Sequence, residues 1–193
     1  CQHICRNKIG SYVCECENGF ILHENGHDCK EGTCSFQISS SHAELTSPNY
    51  PEEYSSKKDC AWHFIATPGH RIKLYFIEFE IEPQQDCSYD YIVIYDGPNA
   101  NSSSLGRFCG SKVPHSIISS SNKALMTFVT DGTVNRRGFK AAYSTVCGGR
   151  LLANGTLEHL YSHFKYGDAN HNEKEDCDWV IVAEEDRRIY IKF

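Results

Sequence analysis

Eleven cysteines in 193 residues are the feature that most constrains how this chain can fold. They stand at positions 1, 5, 14, 16, 29, 34, 60, 87, 109, 147 and 177. Such usage is typical of a disulfide framework, and disulfides persist in oxidising compartments. The sequence therefore predicts a secreted, extracellular protein. Because no signal peptide precedes Cys1, we expect the sequence to be a fragment of a longer chain.

The charge balance narrows the range of partners. The chain has 19 Lys and Arg against 25 Asp and Glu, which gives a formal net charge of -6. Binding to nucleic acid needs clustered positive charge, so no nucleic-acid partner is expected. The longest uncharged apolar run is far shorter than the roughly 20 residues that cross a bilayer, so no membrane span is expected.

The cysteine density changes sharply along the chain. Five cysteines lie in the first 29 residues and six are spread over the remaining 164. A very short module cannot bury a sufficient core and needs crosslinks, whereas a longer one is held together by packing. The sequence therefore predicts two kinds of domain, with a boundary between Lys30 and Thr33.

An internal repeat divides the longer part. Cys60-Ala61-Trp62 matches Cys177-Asp178-Trp179, and the two registers then agree with a constant offset of 117 residues as far as Phe193. The repeat predicts two modules of one fold, at 34–146 and 147–193, the second ending less than halfway through. Both tryptophans stand in apolar strand registers, and we expect them in the core rather than at a ligand.

Hydrophobic alternation predicts the fold class. Ile72, Leu74 and Phe76 alternate with more polar residues, as a strand with one buried face requires. Turn signals separate this run from further short runs at 62–66, 91–95, 124–129 and 139–143. No stretch of about 12 residues shows a helical period. The pattern predicts an all-β protein whose larger part is an antiparallel β-sandwich.

Two known module types share these features. Residues 5–16 fit the pattern Cys-x-Asn-x4-Tyr-x-Cys-x-Cys and resemble a calcium-binding module of the epidermal-growth-factor (EGF) type. The two repeats resemble CUB domains. That second resemblance is carried by Ser47-Pro48-Asn49-Tyr50-Pro51, Tyr89-Asp90-Tyr91, Tyr95-Asp96-Gly97, Gly106-Arg107-Phe108-Cys109-Gly110 and Gly138-Phe139. Together the two resemblances cover nearly the whole chain.

The order EGF, CUB, CUB is similar to the C-terminal half of tolloid-type metalloproteases. These are astacin-class enzymes of the procollagen C-proteinase and bone morphogenetic protein 1 type. The resemblance implies a small disulfide-rich EGF-like module at 1–33, a CUB domain at 34–146 and a C-terminally truncated CUB domain at 147–193. In that family a zinc protease domain lies far upstream, and this sequence does not contain it. We therefore expect the chain itself not to be an enzyme.

The same resemblance implies a function and a class of partner. It implies a non-catalytic, calcium-dependent protein-binding segment that acts in matrix assembly or in dorsal-ventral patterning of the BMP type. Its partners would be extracellular proteins, with procollagen-like or chordin-like substrates. The alternative is a fragment of an endocytic or developmental receptor built from EGF and CUB modules. A complement-type initiating protease fits less well, because its EGF module lies between two CUB domains.

A disulfide pairing also follows from the resemblance. EGF modules pair six cysteines and only five are present, so Cys5 is left without its mate. The odd count is then explained by truncation, and the alternative is a reactive free thiol at Cys5. The implied pairs are Cys1-Cys14, Cys16-Cys29, Cys34-Cys60, Cys87-Cys109 and Cys147-Cys177.

One short motif suggests zinc catalysis. Residues 23–27 read His-Glu-Asn-Gly-His, a literal match to the zincin motif, which acts on a helix. Here Asn25-Gly26 is a strong turn signal inside a short loop, and Lys30 and Thr33 stand where an astacin site needs Gly and a third His. We therefore expect a solvated hairpin and no zinc site.

Three acids are the candidate calcium ligands. From composition alone, Glu82, Asp90 and Asp131 are ordinary surface acids, and the sequence does not show that their loops meet. Resemblance to calcium-binding CUB domains assigns them to one calcium site, with oxygens of Thr133 or Val134 completing the ligand shell. In such domains the ordered acids receive a Lys or Arg of the protein ligand.

The remaining expectations concern the EGF module and glycosylation. Asn7 would offer its side-chain oxygen to calcium, with the carbonyls of Lys8 and Ser11 nearby. The acidic ligands of that site normally precede the first cysteine, so this site is expected to be incomplete. The sequence context of Asn7 also permits β-hydroxylation. Asn101 and Asn154 begin N-glycosylation tripeptides in loops rich in small polar residues.

Overall fold

The computed structural model describes residues 1–16, 20–31, 34–163, 166–167 and 176–193, without the side chains of residues 21, 30 and 31. Within these ranges every regular element is a strand, so the all-β fold class is confirmed. No helix in the described part of the chain has the length and apolarity needed to cross a membrane. The strands are β1 (Ile4–Lys8), β2 (Ser11–Glu15), β3 (Phe20–Leu22), β4 (Cys29–Glu31), β5 (Ser35–Ile38), β6 (His42–Thr46), β7 (Asp59–Ile65), β8 (His70–Glu80), β9 (Tyr91–Tyr95), β10 (Ser104–Phe108), β11 (Ile117–Ile118), β12 (Lys123–Val129), β13 (Gly138–Cys147), β14 (Gly149–Ala153) and β15 (Trp179–Ala183).

Two sheets form the central β-sandwich. One has five strands in the order β10-β9-β12-β7-β5, and the other has four in the order β11-β8-β13-β6. All neighbours in these sheets are antiparallel except β5 and β7, which run parallel. The Cys34–Cys60 disulfide joins the start of β5 to the start of β7, so the two strands lie side by side in the same direction. The sandwich is therefore antiparallel, as predicted, apart from this one pair.

Aromatic side chains fill the space between the two sheets. Phe139 of β13 is fully buried and makes edge-to-face contacts with Trp62, Phe76 and Phe128. Trp62 of β7 also stacks on Phe36 of β5, with ring centroids 5.4 Å apart. The inward-facing positions of strands from both sheets thus converge on one core, as their alternating sequence requires.

The N-terminal part has little core and depends on crosslinks. Strands β1 and β2 form one antiparallel pair, and β3 and β4 form another. Disulfides join Cys1 to Cys14 and Cys16 to Cys29, while Cys5 is free and exposed. Of the boundary predicted between Lys30 and Thr33, residues 32–33 lie outside the described part of the chain.

The C-terminal part repeats the parallel strand pair that begins the first sandwich. Strands β14 and β15 pair in parallel, with Gly149 opposite Trp179, just as Phe36 lies opposite Trp62 in the first copy. A disulfide from Cys147 to Cys177 again ties the two strand starts together. The sequence repeat therefore corresponds to a repeated piece of structure.

The Cys34–Cys60 disulfide should contribute strongly to the stability of the sandwich. It closes a loop with a sequence separation of 26, and Cys60 is fully buried. We expect the double variant Cys34→Ala and Cys60→Ala to lower the free energy of unfolding by about 3 kcal/mol, because the unfolded chain gains entropy. Urea denaturation measures this change. Cys5→Ala is the control, and a double variant as stable as Cys5→Ala would contradict the expectation.

Candidate metal centre

Strand connections bring the three predicted acids to one end of the sandwich. Glu82 follows β8, Asp90 precedes β9 and Asp131 follows β12. Strands β9 and β12 are antiparallel with Tyr91 opposite Val129, so the start of one lies beside the end of the other. The topology therefore gathers acids that are 8 and 41 residues apart in sequence.

The three carboxylates form a compact cluster. One oxygen from each of Glu82, Asp90 and Asp131 can be chosen so that all lie within 4.8 Å of one another. Asp90 is 0% exposed and Glu82 is 8% exposed, whereas Asp131 is partly exposed. The cluster is thus buried on the side of Asp90 and accessible on the side of Asp131.

Hydrogen bonds fix Asp90 at the base of the cluster. Its Oδ2 accepts a hydrogen bond from the Tyr54 hydroxyl at 2.6 Å, and its Oδ1 accepts one from the backbone N–H of Asp131 at 2.7 Å. The Tyr54 hydroxyl also accepts a hydrogen bond from the backbone N–H of Glu82 at 3.2 Å. A single phenol therefore links two of the three acids.

Sequence reasoning missed Tyr54. It lies in the polar loop between β6 and β7, 36 residues before Asp90, and it is fully buried. No period or spacing marks a tyrosine in such a loop as part of a site. The available signal is that Tyr54 is a large aromatic residue among polar neighbours. A loop that is fully solvated does not need such a residue.

Burial and like charge shape the protonation of the cluster. Burial raises the pKa of the Tyr54 hydroxyl, and its hydrogen bond to Asp90 raises it further, so the phenol stays a donor at neutral pH. Burial also raises the pKa of Glu82, and the negative charges of Asp90 and Asp131 add to the shift. Among the described residues, Oε2 of Glu82 is buried and has no hydrogen-bond partner.

This arrangement fits a calcium ion. Calcium prefers six to eight oxygen ligands at about 2.3–2.6 Å, so oxygens within 4.8 Å of one another can share one ion. The unpartnered buried Oε2 of Glu82 is the kind of atom that a cation would satisfy. Without a cation, each pair of ionised carboxylates at this separation repels by about 3 kcal/mol at a surface-like dielectric.

The two other predicted ligands lie in the loop after Asp131. The backbone N–H and the hydroxyl of Thr133 both donate to Oδ1 of Asp131, at 2.7 and 3.2 Å. Val134 follows with a positive φ of 34° and an exposed side chain. The loop therefore curls around Asp131, and oxygens of Thr133 and Val134 remain candidates for the rest of the shell.

The raised pKa of Glu82 gives a testable pH dependence. In the calcium-free chain the folded state holds this proton more tightly than the unfolded state does. We therefore expect its contribution to the free energy of unfolding to fall as pH rises from the ordinary glutamate pKa through the raised value. Urea denaturation at several pH values in chelator measures this change. Glu82→Gln should remove it and Glu80→Gln should retain it, and equal pH profiles for both variants would contradict the assignment.

The predicted EGF calcium ligands lie at the turn between β1 and β2. Asn7 stands opposite Tyr12, and Lys8 stands opposite Ser11, all exposed. Within the described residues, two clusters of His, Cys, Asp or Glu side chains could hold a metal ion, and neither includes this turn, whose predicted ligands are an amide oxygen and two carbonyls. The second of those clusters consists of His3, Cys16 and Cys29. Both of its cysteines are joined in a disulfide, so they offer no thiolate.

The zincin-like motif lies in the turn between β3 and β4 rather than on a helix. Nδ1 of His23 accepts a hydrogen bond from the backbone N–H of Asn25, and Nδ1 of His27 lies 3.7 Å from Sγ of Cys14. The two imidazoles therefore have separate local partners.

The two predicted glycosylation residues, Asn101 and Asn154, are both exposed in loops, where a modifying enzyme can reach them.

The remaining disulfide braces the loop before β9. The structure joins Cys87 to Cys109, which ties the segment between Glu82 and Asp90 to the end of β10. With the pairs described above, the five disulfides are the same five that the resemblance implies. The Cys87–Cys109 crosslink limits the freedom of the loop that carries two of the three acids.

The chain is similar in sequence to a known domain family and to several known proteins. A family model described as CUB domain matches residues 34–143. The chain is 49% identical over 193 residues to human tolloid-like protein 1, covering 100% of this chain and 19% of the relative. It is 47% identical over 193 residues to the dorsal-ventral patterning protein tolloid of Drosophila melanogaster, covering 100% of this chain and 18% of the relative. The chain thus spans about a fifth of the length of these relatives, and the resemblance to tolloid-type proteins is confirmed.

Solved structures share the fold at moderate identity. The CUB1-EGF-CUB2 domain of human MASP-1/3 matches with a TM-score of 0.55 and 33% identity, over 76% of this chain and 54% of that one. The MASP-1 CUB2 domain bound to Ca²⁺ matches with a TM-score of 0.51 and 31% identity, over 56% of this chain and 96% of that one. The latter is a calcium-bound domain similar to the sandwich described above.

Proposed function

The chain belongs to the CUB domain family, and from this premise we propose that it is a calcium-dependent protein-binding segment of a tolloid-like zinc metalloprotease. The observation that carries the proposal is the cluster of Glu82, Asp90 and Asp131, with its unpartnered buried oxygen. The calcium-bound MASP-1 CUB2 domain supports the choice of ion. Calcium would order the loop ends that carry these acids.

The proposed segment consists of three modules in an extracellular protein. Residues 1–33 form an EGF-like module, 34–146 a CUB domain and 147–193 the beginning of a second CUB domain. The five disulfides and the identity to tolloid-like proteins support an extracellular, secreted location. The catalytic zinc domain belongs to the parent protease, and this segment contributes substrate recognition in matrix assembly or dorsal-ventral patterning.

The cluster would recognise a basic side chain. Asp90 is fully buried and already bound by Tyr54, so its role is to hold the ion. Three carboxylates and one Ca²⁺ leave one net negative charge, which attracts a Lys or Arg of the partner. Asp131 is partly exposed and can accept that contact. Calcium thus turns three mutually repelling acids into an ordered acceptor for a cation.

A binding experiment tests this recognition. The whole chain is passed over immobilised procollagen with calcium or with chelator, and the bound amount is measured by surface plasmon resonance. We expect calcium-dependent binding that Glu82→Gln reduces at least tenfold, the order of loss seen when a buried charged contact is removed. Glu80→Gln, an exposed acid two residues away, should leave it unchanged.

Blocking both the lysines and the arginines of the immobilised procollagen should abolish the binding, because the charge-assisted contact needs a cationic side chain. A chordin-like protein on a second surface extends the same test to the other substrate class. Equal binding in calcium and chelator on both surfaces would contradict the proposal.

A further inference from the structure

The two copies of the repeat contact each other at the end of the sandwich that lies away from the acid cluster. Strand β13 ends at Cys147 and β14 begins at Gly149, so Gly148 alone separates the last strand of the first sandwich from the first strand of the second copy. Consecutive glycines between modules are typical of a flexible connection. The contacts around them here show a packed junction instead.

One carbonyl in the first module holds the second. The oxygen of Gly69 accepts hydrogen bonds from the backbone N–H of Gly148 at 3.0 Å and from Nε1–H of Trp179 at 2.7 Å. Gly69 ends the turn between β7 and β8, and Trp179 begins β15. The two bonds therefore join the turn of the first sandwich to the residue before β14 and to the first residue of β15.

The junction is closely packed around its glycines. A Cβ at Gly69 would meet Cδ1 of Leu160 and would lie 2.9 Å from Nε1 of Trp179. A Cβ at Gly149 would lie 3.1 Å from Cδ of Arg71 and 3.2 Å from the oxygen of Ser120. Atoms from the two copies thus occupy the space on both sides of the contact.

We propose that this junction is a fixed docking interface, in which the turn at residues 67–69 receives Trp179 and holds the second module in one orientation on the first. Two hydrogen bonds to one oxygen define a direction as well as a distance, which a flexible linker does not. The partner that fits this surface is the following CUB module of the same chain.

The interface leaves the acid cluster free. Strand β8 begins at His70, beside the junction, and ends at Glu80, two residues before Glu82. Eleven residues of strand span about 33 Å, so the two sites lie at opposite ends of the sandwich. A partner bound at the cluster would not compete with the second module. The docking interface is therefore independent of the calcium proposal, and either can fail alone.

Indole proton exchange in the whole chain tests the interface. The chain has two tryptophans, and Trp179→Phe assigns the two indole signals. We expect the Nε1–H of Trp179 to exchange at least about tenfold more slowly than an exposed indole. Residual dipolar couplings should fit a single alignment tensor for both copies. Exchange at the rate of a free indole, or two independent tensors, would overturn the proposal.

Two glycine variants separate the interface from backbone strain. Gly69 and Gly155 have nearly equal positive φ values, 86° and 85°, but a Cβ at Gly155 meets nothing within 4 Å. We expect Gly69→Ala to abolish the slow exchange of the Trp179 indole while the Trp62 indole stays protected. Gly155→Ala should leave both protected. Slow Trp179 exchange in Gly69→Ala, or equal loss in both variants, would contradict the proposal.

Trp179→Phe gives a second measurement that does not depend on the glycine. It keeps an aromatic ring but removes the donor to the Gly69 oxygen. We expect the amide proton of Gly148 to exchange at least about tenfold faster in this variant, because loss of the indole donor loosens the junction and exposes the Gly148 N–H to water. An unchanged Gly148 exchange rate would show that the indole does not hold the junction.

Discussion

Millimolar calcium is expected to raise the melting temperature of the chain by about 10 °C over its value in chelator. An ion at the cluster of Glu82, Asp90 and Asp131 binds the folded state alone, because the unfolded chain does not bring these acids together. At about 100 times its dissociation constant, a ligand adds about 2.7 kcal/mol to the free energy of unfolding. Removal of carboxylate repulsion is part of the same gain.

Matched variants identify the site responsible for this shift. Asp90→Asn keeps the size of the side chain but removes the buried charge, and it should abolish the calcium-dependent shift. Glu80→Gln removes an exposed acid beside the cluster and should keep the shift in full. Scanning calorimetry in calcium and in chelator measures all three proteins. A shift that survives in Asp90→Asn would mean that calcium binds elsewhere.

Replacement of Trp62 by alanine should lower the free energy of unfolding by about 3–5 kcal/mol. Trp62 is almost fully buried, stacks on Phe36 and meets the edge of Phe139, with ring centroids 5.4 and 5.5 Å apart. The variant removes these contacts and leaves a cavity between the two sheets. Since domains of this size are only marginally stable, such a loss approaches the whole stability of the sandwich.

Guanidinium denaturation in calcium measures the cost of Trp62→Ala. Tyr190→Ala is the control, because Tyr190 is 88% exposed and its removal should change the free energy of unfolding by less than about 0.5 kcal/mol. Trp62→Phe should cost less than Trp62→Ala, since a ring remains against Phe36. If Trp62→Ala were as stable as Tyr190→Ala, the core assignment would be wrong.

Local sequence pattern predicts the strands well because one face of each strand must be buried. The alternation of Ile72, Leu74 and Phe76 lies in β8, where all three side chains are buried. The parallel pairing of β5 with β7 could not be predicted from hydrophobic alternation, because the alternation is the same for parallel and antiparallel strands. The Cys34–Cys60 crosslink sets that direction, and cysteine positions alone do not state which cysteines pair.

The candidate site could be predicted only in part. Spacing alone leaves Glu82, Asp90 and Asp131 as separate surface acids, because their meeting depends on how β8, β9 and β12 pair. Family resemblance supplied that missing information. Tyr54 was not predicted, since its bond to Asp90 joins two loops and follows no local rule. The Gly69–Trp179 contact is likewise invisible in sequence, because it joins residues 110 apart.

Direct titration with calcium tests the central claim. Isothermal titration calorimetry of the whole chain, first freed of calcium with chelator and then dialysed, measures the number of ions bound. The cluster of Glu82, Asp90 and Asp131 predicts one Ca²⁺ per chain, and it predicts that Asp90→Asn and Glu82→Gln bind none at the same concentrations while Glu80→Gln binds one. No bound calcium in the unsubstituted chain, or one ion still bound in Asp90→Asn, would contradict it.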